Sequence, residues 1–185
     1  RIAATGGSAG ACSSLWLAFH DDMAQPNSSD PVARESTRLT AAAVNGAQTS
    51  LDPAQLREWI PNMSYGGHAF GFSGKGGAGR DSQFQQFYDH RDEVADWIKE
   101  YSPIAHVSSD DPPVFLNYPN QDKPPVKGEA QTDPTHSALL GLLLEEKLKA
   151  EGDEVHVAYP GRKDSEYAGP TPFLIDKLKN AKSKP

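Results

Sequence analysis

The chain has 185 residues, enough for one domain with its own core, and 18 basic against 25 acidic side chains give a formal net charge of −7. That balance, without a basic stripe, argues against a nucleic-acid partner, and no apolar run approaches the length of a membrane span. A single cysteine, Cys12, excludes an internal disulfide framework, while 37% hydrophobic residues and a mean hydropathy of −0.62 point to long polar loops.

Residues 1–24 organise the rest. A β-prone run, Ile2 to Thr5, passes through Gly6-Gly7-Ser8-Ala9-Gly10 into a helical pattern with Ala11, Leu15, Phe19 and Met23 on one face. Strand, G-x-S-x-G and helix in succession form a nucleophile elbow. The reversal is so sharp that only small residues are expected two positions either side of the serine. In return the hydroxyl is lifted above the sheet and the next backbone N–H is aimed at a substrate oxygen. The turn also opens a helix, whose N-terminal dipole favours a developing negative charge. Cys12, in the elbow helix, reads as a small buried residue rather than a reactive thiol. The chain starts at Arg1 without an initiator Met, and no targeting segment can be read in it. It is expected to be a piece of something longer or the product of processing.

A turn-rich linker over 25–36 precedes a small-residue strand over 39–46 (LTAAAVNG), expected to be buried on both faces. Asp52-Pro53 starts a helix as N-cap and N1 residue, and the helix runs to about Trp59 before Pro61. The segment 62–80 reads as a mobile, surface-exposed insertion. Its Gly74-Lys75-Gly76 lacks the Ser or Thr that a phosphate-cradling loop needs after the lysine, so nucleotide binding is not favoured. Residues 81–101 are expected to form one amphipathic helix, with Phe84, Phe87, Tyr88, Val94, Trp97 and Ile98 among charges and His90 a solvated surface residue. A strand over 114–118, a second loop insertion over 119–132 and a helix over 135–151 follow. In that helix Leu140, Leu144 and Leu148 form a stripe, and Gly152 closes it. A strand over 154–159, a Pro160-Gly161 turn and a helix over 171–179 complete the chain. Alternating strands and helices imply an α/β architecture with a mainly parallel sheet, in one partial domain spanning 1–185.

The elbow serine, Ser102-Pro103, Asp110-Asp111-Pro112-Pro113-Val114 before a strand, Asp133-Pro134 before a helix and a strand ending Tyr159-Pro160-Gly161 occur in an order that resembles the C-terminal half of an α/β-hydrolase. The likeness is to the carboxylesterase and acetylxylan-esterase-like branch related to hormone-sensitive lipase. It covers most of the chain and is weakest over 62–80 and 119–132. The resemblance implies Ser8 as nucleophile, the N–H of Ala9 as one oxyanion-hole donor, and a triad in the order Ser, acid, His. For the acid, Asp122 lies soon after the third strand. Asp133 matches the Asp-Pro pattern and its spacing to the last strand, and is preferred; its Asp-Pro pair also reads as an N-cap and N1 pair. The sequence departs from the family pattern at the histidine, because none follows the Pro160-Gly161 turn. His156 lies inside a strand, and His136, three residues after Asp133, is the best substitute among the histidines, although the reading favoured for it is a solvated first-turn helix residue. His68 could fold over the site, and no case is made for His20 or His106. The second oxyanion donor and the strands flanking the first strand lie upstream in relatives, which would leave residues 2–5 with an unpaired edge.

Two functions are consistent with these residues. One is a lipase-like serine esterase acting on small-molecule or carbohydrate esters through an acyl-enzyme, with no metal or organic cofactor. The other is a non-catalytic binding or scaffold module that keeps the elbow but has lost its base. Acyl and alcohol specificity, oligomeric state and compartment are not legible.

Overall fold

The computed structural model describes residues 1–73 and 79–181. The lysine and most glycines of the 74–80 run therefore lie outside the described residues. Four parallel strands, β1 (Ala3–Gly7), β2 (Ala41–Asn45), β3 (Val114–Asn117) and β4 (Val155–Ala158), form one sheet in sequence order. Helices cover both faces, as a parallel sheet requires. On one face Ala42, Val44, Val114, Leu116 and Val157 pack against Leu15 and Phe19 of α1 (Ala9–Phe19) and Leu144 and Leu148 of α6 (Ala138–Glu151). On the other, Ala41, Ala43 and Phe115 meet Phe173 of α7 (Pro170–Asn180). Residues 41–44 are wholly buried, which explains why β2 is built from alanine and valine without alternation. β1 has one partner strand among the described residues, and Ile2 beside it is 65% exposed.

The helix starts follow local chemistry. Asp52 accepts hydrogen bonds from the N–H groups of Ala54 and Gln55 to cap α2 (Pro53–Trp59), and Gly152 closes α6 in the left-handed conformation. Elsewhere tertiary contacts override the pattern. α1 stops at Phe19, so Met23 lies outside the helix and is 40% exposed. The expected single helix over 81–101 is two, α3 (Arg80–Asp89) and α4 (Ala95–Tyr101), joined by a 3₁₀ turn at Arg91–Val94. The break lets Arg91 reach back to Asp52 with two bonds, Nε to Oδ1 at 2.7 Å and Nη2 to Oδ2 at 2.6 Å, and leaves Trp97 61% exposed. A short helix, α5 (Pro103–His106), follows.

The two loop segments are anchored and joined to each other. Asn62 donates from Nδ2 to the Gln131 carbonyl at 2.8 Å and accepts the Gln131 N–H at 3.0 Å, and the Gly128 N–H bonds the Trp59 carbonyl at 2.8 Å. Met63, Gly67 and Phe70 are buried, so the described part of 62–80 is tied into a cluster with Leu56, Phe84 and Phe87 rather than lying free on the surface. None of the described helices is long and apolar enough to cross a membrane.

Candidate active site

The strand-to-helix reversal is built at Ser8, the only non-glycine residue with positive φ among those described (φ 52°, ψ −120°). Its N–H stays in the sheet, bonding the Asn45 carbonyl at 3.0 Å, while its own carbonyl already accepts from Ala11 and Cys12. Such a conformation costs on the order of 1–3 kcal/mol and persists only where the surroundings fix it. Gly6 is one such constraint, since a Cβ there would overlap the Gly10 carbonyl. The requirement for a small residue is one-sided: a Cβ at Gly10 meets nothing within 4 Å.

The helix expected from residue 135 begins later, and this shift places the histidine. Asp133 accepts the His136 N–H at 3.3 Å and closes a 3₁₀ turn at Pro134–His136, after which Ser137 caps α6 with its own side chain. His136 is therefore held at a turn above the ends of β1 and β2 instead of on a helix face. Its Nδ1 lies 2.8 Å from Asp133 Oδ2 and its Nε2 lies 2.9 Å from Ser8 Oγ. The side chains of His136 and Asp133 are 32% and 45% exposed.

Three residues that sequence reasoning did not single out shape this site. Gly46 has a φ of +58°, and a Cβ there would stand 3.2 Å from the edge of the His136 ring. The buried Gln48 donates to the carbonyls of Gly46 and Thr135 at 3.2 and 3.0 Å, tying the exit of β2 to the 3₁₀ turn. Asn117 donates to Asn45 Oδ1 at 2.8 Å, fixing the side chain beside the serine. The Asn-Gly dipeptide after a buried strand was the available signal, but it marks a turn without saying what packs on it.

The other expected residues are elsewhere. Asp122 accepts from Thr132 Oγ1 at 2.6 Å, which holds its carboxyl below the usual range, and it has no bond to a histidine. His156 bonds Asp164 at 2.9 Å and Glu154 at 3.0 Å within an aromatic surround. His68 packs edge-on to Tyr65, with ring centroids 5.0 Å apart. Cys12 is partly buried, and burial pushes its thiol up to about 11, far from a reactive thiolate. Ala9 is the first residue of α1, a position whose N–H has no partner within the helix. Among the described residues no three His, Cys, Asp or Glu side chains are placed to hold a metal ion.

Two cavities adjoin the elbow. One of 230 Å³ is lined by Ser8 and His136 with Asn45, Gly46 and Asn120. The other, of 510 Å³ and mainly apolar, is reached at Ala9.

No protein-family model and no curated protein matches the chain. Solved structures do. An acetyl ester-xyloside bifunctional hydrolase from Caldicellulosiruptor lactoaceticus superposes with a TM-score of 0.52 at 20% identity, over 97% of this chain and 53% of that one. Thermogutta terrifontis esterase 2, phosphonylated by sarin, gives a TM-score of 0.55 at 17% identity over 97% and 54% of the two chains. A truncated carbohydrate esterase from gut microbiota gives 0.51 at 14% identity over 84% and 49%. The chain thus shares the fold of part of these proteins, consistent with an α/β-hydrolase-like arrangement, and spans about half the length of each.

Proposed function

We propose that the protein is a serine hydrolase that cleaves carboxylic esters of small molecules through an acyl-enzyme. The observation that carries this reading is the unbroken line from Asp133 through His136 to Ser8, at 2.8 and 2.9 Å. A serine hydroxyl is a poor nucleophile until a neighbouring base takes its proton, and that base must be held in the right tautomer by a third group. Asp133 accepting from Nδ1–H leaves the Nε2 lone pair facing Ser8.

In the reaction Ser8 Oγ bonds the ester carbonyl carbon as His136 Nε2 takes its proton, and the carbonyl oxygen becomes an oxyanion facing the Ala9 N–H. The tetrahedral centre collapses, the bond to the alcohol oxygen breaks, and His136 returns the proton to that oxygen. Water then attacks the acyl-serine with His136 again as base, releasing the acid and restoring Ser8. None of these steps calls for a metal or redox group. The fold shared with a protein named an acetyl ester-xyloside bifunctional hydrolase and with one named a carbohydrate esterase is consistent with an ester of a sugar as one substrate.

A second reading, a non-catalytic binding module, draws on the exposure of Asp133 and His136, since water competes with their bond. A fluorophosphonate probe separates the two. With the full chain, an adduct located on Ser8 by mass spectrometry, absent from Ser8→Ala and formed at least about a hundredfold more slowly in His136→Ala, is the expected result. No adduct in folded protein would favour the module, and unchanged labelling of His136→Ala would reject that base.

A further inference from the structure

The two cavities beside the elbow share no lining residue, so Ser8 and Ala9 divide them. His136 lines the smaller, where its neighbours Asn45 and Asn120 are polar. The larger is walled by Cys12 and Trp16 of α1, by Leu51, and by Tyr65 and His68 of the 62–80 segment. This division matters to an ester. The leaving alcohol has to lie within reach of His136 Nε2, which hands it a proton, and so belongs to the smaller cavity that His136 lines. The carbonyl oxygen faces the Ala9 N–H. The acyl group then extends past Ala9, where the large cavity opens.

We propose that the 510 Å³ cavity is the acyl subsite and that it selects an aliphatic or aryl acyl group well beyond acetyl in size. The proposal rests on the esterase reading and adds the substrate class to it. An acetyl group would leave most of this apolar wall in contact with water. Each further methylene buried there raises kcat/KM by about fourfold, provided the contact is made in the transition state. The wall is not purely apolar: Gln48 and His68 also line the cavity, the former committed to two carbonyls and the latter packed on Tyr65.

The test compares p-nitrophenyl acetate with p-nitrophenyl octanoate on the full chain and on Ala69→Trp, which adds a large side chain at the cavity lining. Expected are at least a tenfold higher kcat/KM for octanoate in the unaltered protein and at least a tenfold fall in the octanoate-to-acetate ratio in the variant. A measurement free of catalysis accompanies it: octanamide titrated into Ser8→Ala should shift Trp16 emission, identified by its loss in Ser8→Ala/Trp16→Phe. If octanamide shifts Trp16 emission but no ester is turned over, the cavity stands as an apolar-chain site and the esterase reading falls. Should acetate be turned over as well as octanoate, with a ratio unmoved by Ala69→Trp and no emission shift, the subsite is overturned while the esterase reading survives.

Discussion

His136 Nε2 stands 2.9 Å from Ser8 Oγ across 128 positions of sequence, and the contact is made by a turn rather than by a helix face. Asp133 does two things there: Oδ1 caps the turn through the His136 N–H, and Oδ2 meets Nδ1. Asp133→Asn keeps the shape but can present its amide to Nδ1, favouring the tautomer that aims a proton at Ser8. We expect kcat for p-nitrophenyl ester hydrolysis to fall by about 10⁴. Asp122→Asn, at an exposed residue bonded to Thr132, is expected to stay within about twofold of the parent. The reverse order of effects would transfer the acid role to Asp122.

The elbow makes unequal demands on its two outer glycines. Gly6→Ala drives a methyl group into the Gly10 carbonyl, a backbone atom that cannot turn aside, and is expected to cost about 3 kcal/mol or more. Gly10→Ala places its methyl in open space on a helix, where alanine is preferred, and is expected to gain about 0.5–1 kcal/mol. Urea unfolding of the two variants beside the parent decides the point. Equal destabilisation would mean that both glycines are required, as the motif alone suggests.

Asp52 caps α2 and also holds Arg91, so the start of one helix and the break between two others share a carboxylate. Burial, which would raise its pKa, is outweighed by Arg91 and the capping N–H groups, and the carboxyl lies below its usual range. Asp52→Ala should cost about 1–2 kcal/mol, from cap and ion pair together, and Arg91→Ala about 0.2–1 kcal/mol. The double variant should be no less stable than Asp52→Ala by more than a few tenths of a kcal/mol. Strict additivity in that cycle would mean the pair contributes nothing.

These cases show what could be read in the sequence and what could not. Asp52-Pro53, Gly152 and the alanine run of β2 announce their elements because each carries its reason within a few residues: a cap, a left-handed terminus, burial on both faces. The parallel α/β order was legible for the same reason. The histidine's turn was half legible. Asp133-Pro134 marks a capped start, but whether a helix or a 3₁₀ turn follows depends on Gly46 and Gln48, which are distant in sequence. The break at residue 90 was hidden because its cause is Asp52, nearly forty residues away. The open space at Gly10 was hidden because a motif records which residues occur at a turn without saying which of them the backbone requires.

Asp111 gives the fold a pH dependence opposite in sign to that of its ion-paired carboxylates. Its side chain is shielded from solvent and Oδ2 accepts the Ser108 N–H at 2.8 Å. Burial, with the charges of Asp153 and Asp110 adding to it, pushes the group up to about 6 against the pull of the Ser108 bonds, and Arg38 is no closer than 4.0 Å to its Oδ1. A carboxyl whose folded pKa lies above its unfolded value binds its proton more tightly in the native state. Its contribution is therefore full below about pH 4 and is lost as pH rises through about 6. Asp52, Glu145 and Glu154 are shifted downward, so what they contribute is lost as pH falls below their ordinary range, in the opposite direction to Asp111. In Asp111→Asn the amide oxygen can still accept from Ser108 and nothing titrates. Between about pH 4 and pH 7 the parent should lose on the order of 2–3 kcal/mol of unfolding free energy relative to this variant, measured by urea titration at each pH. Parallel pH profiles for the two proteins would mean that Asp111 ionises in the fold as freely as in the unfolded chain.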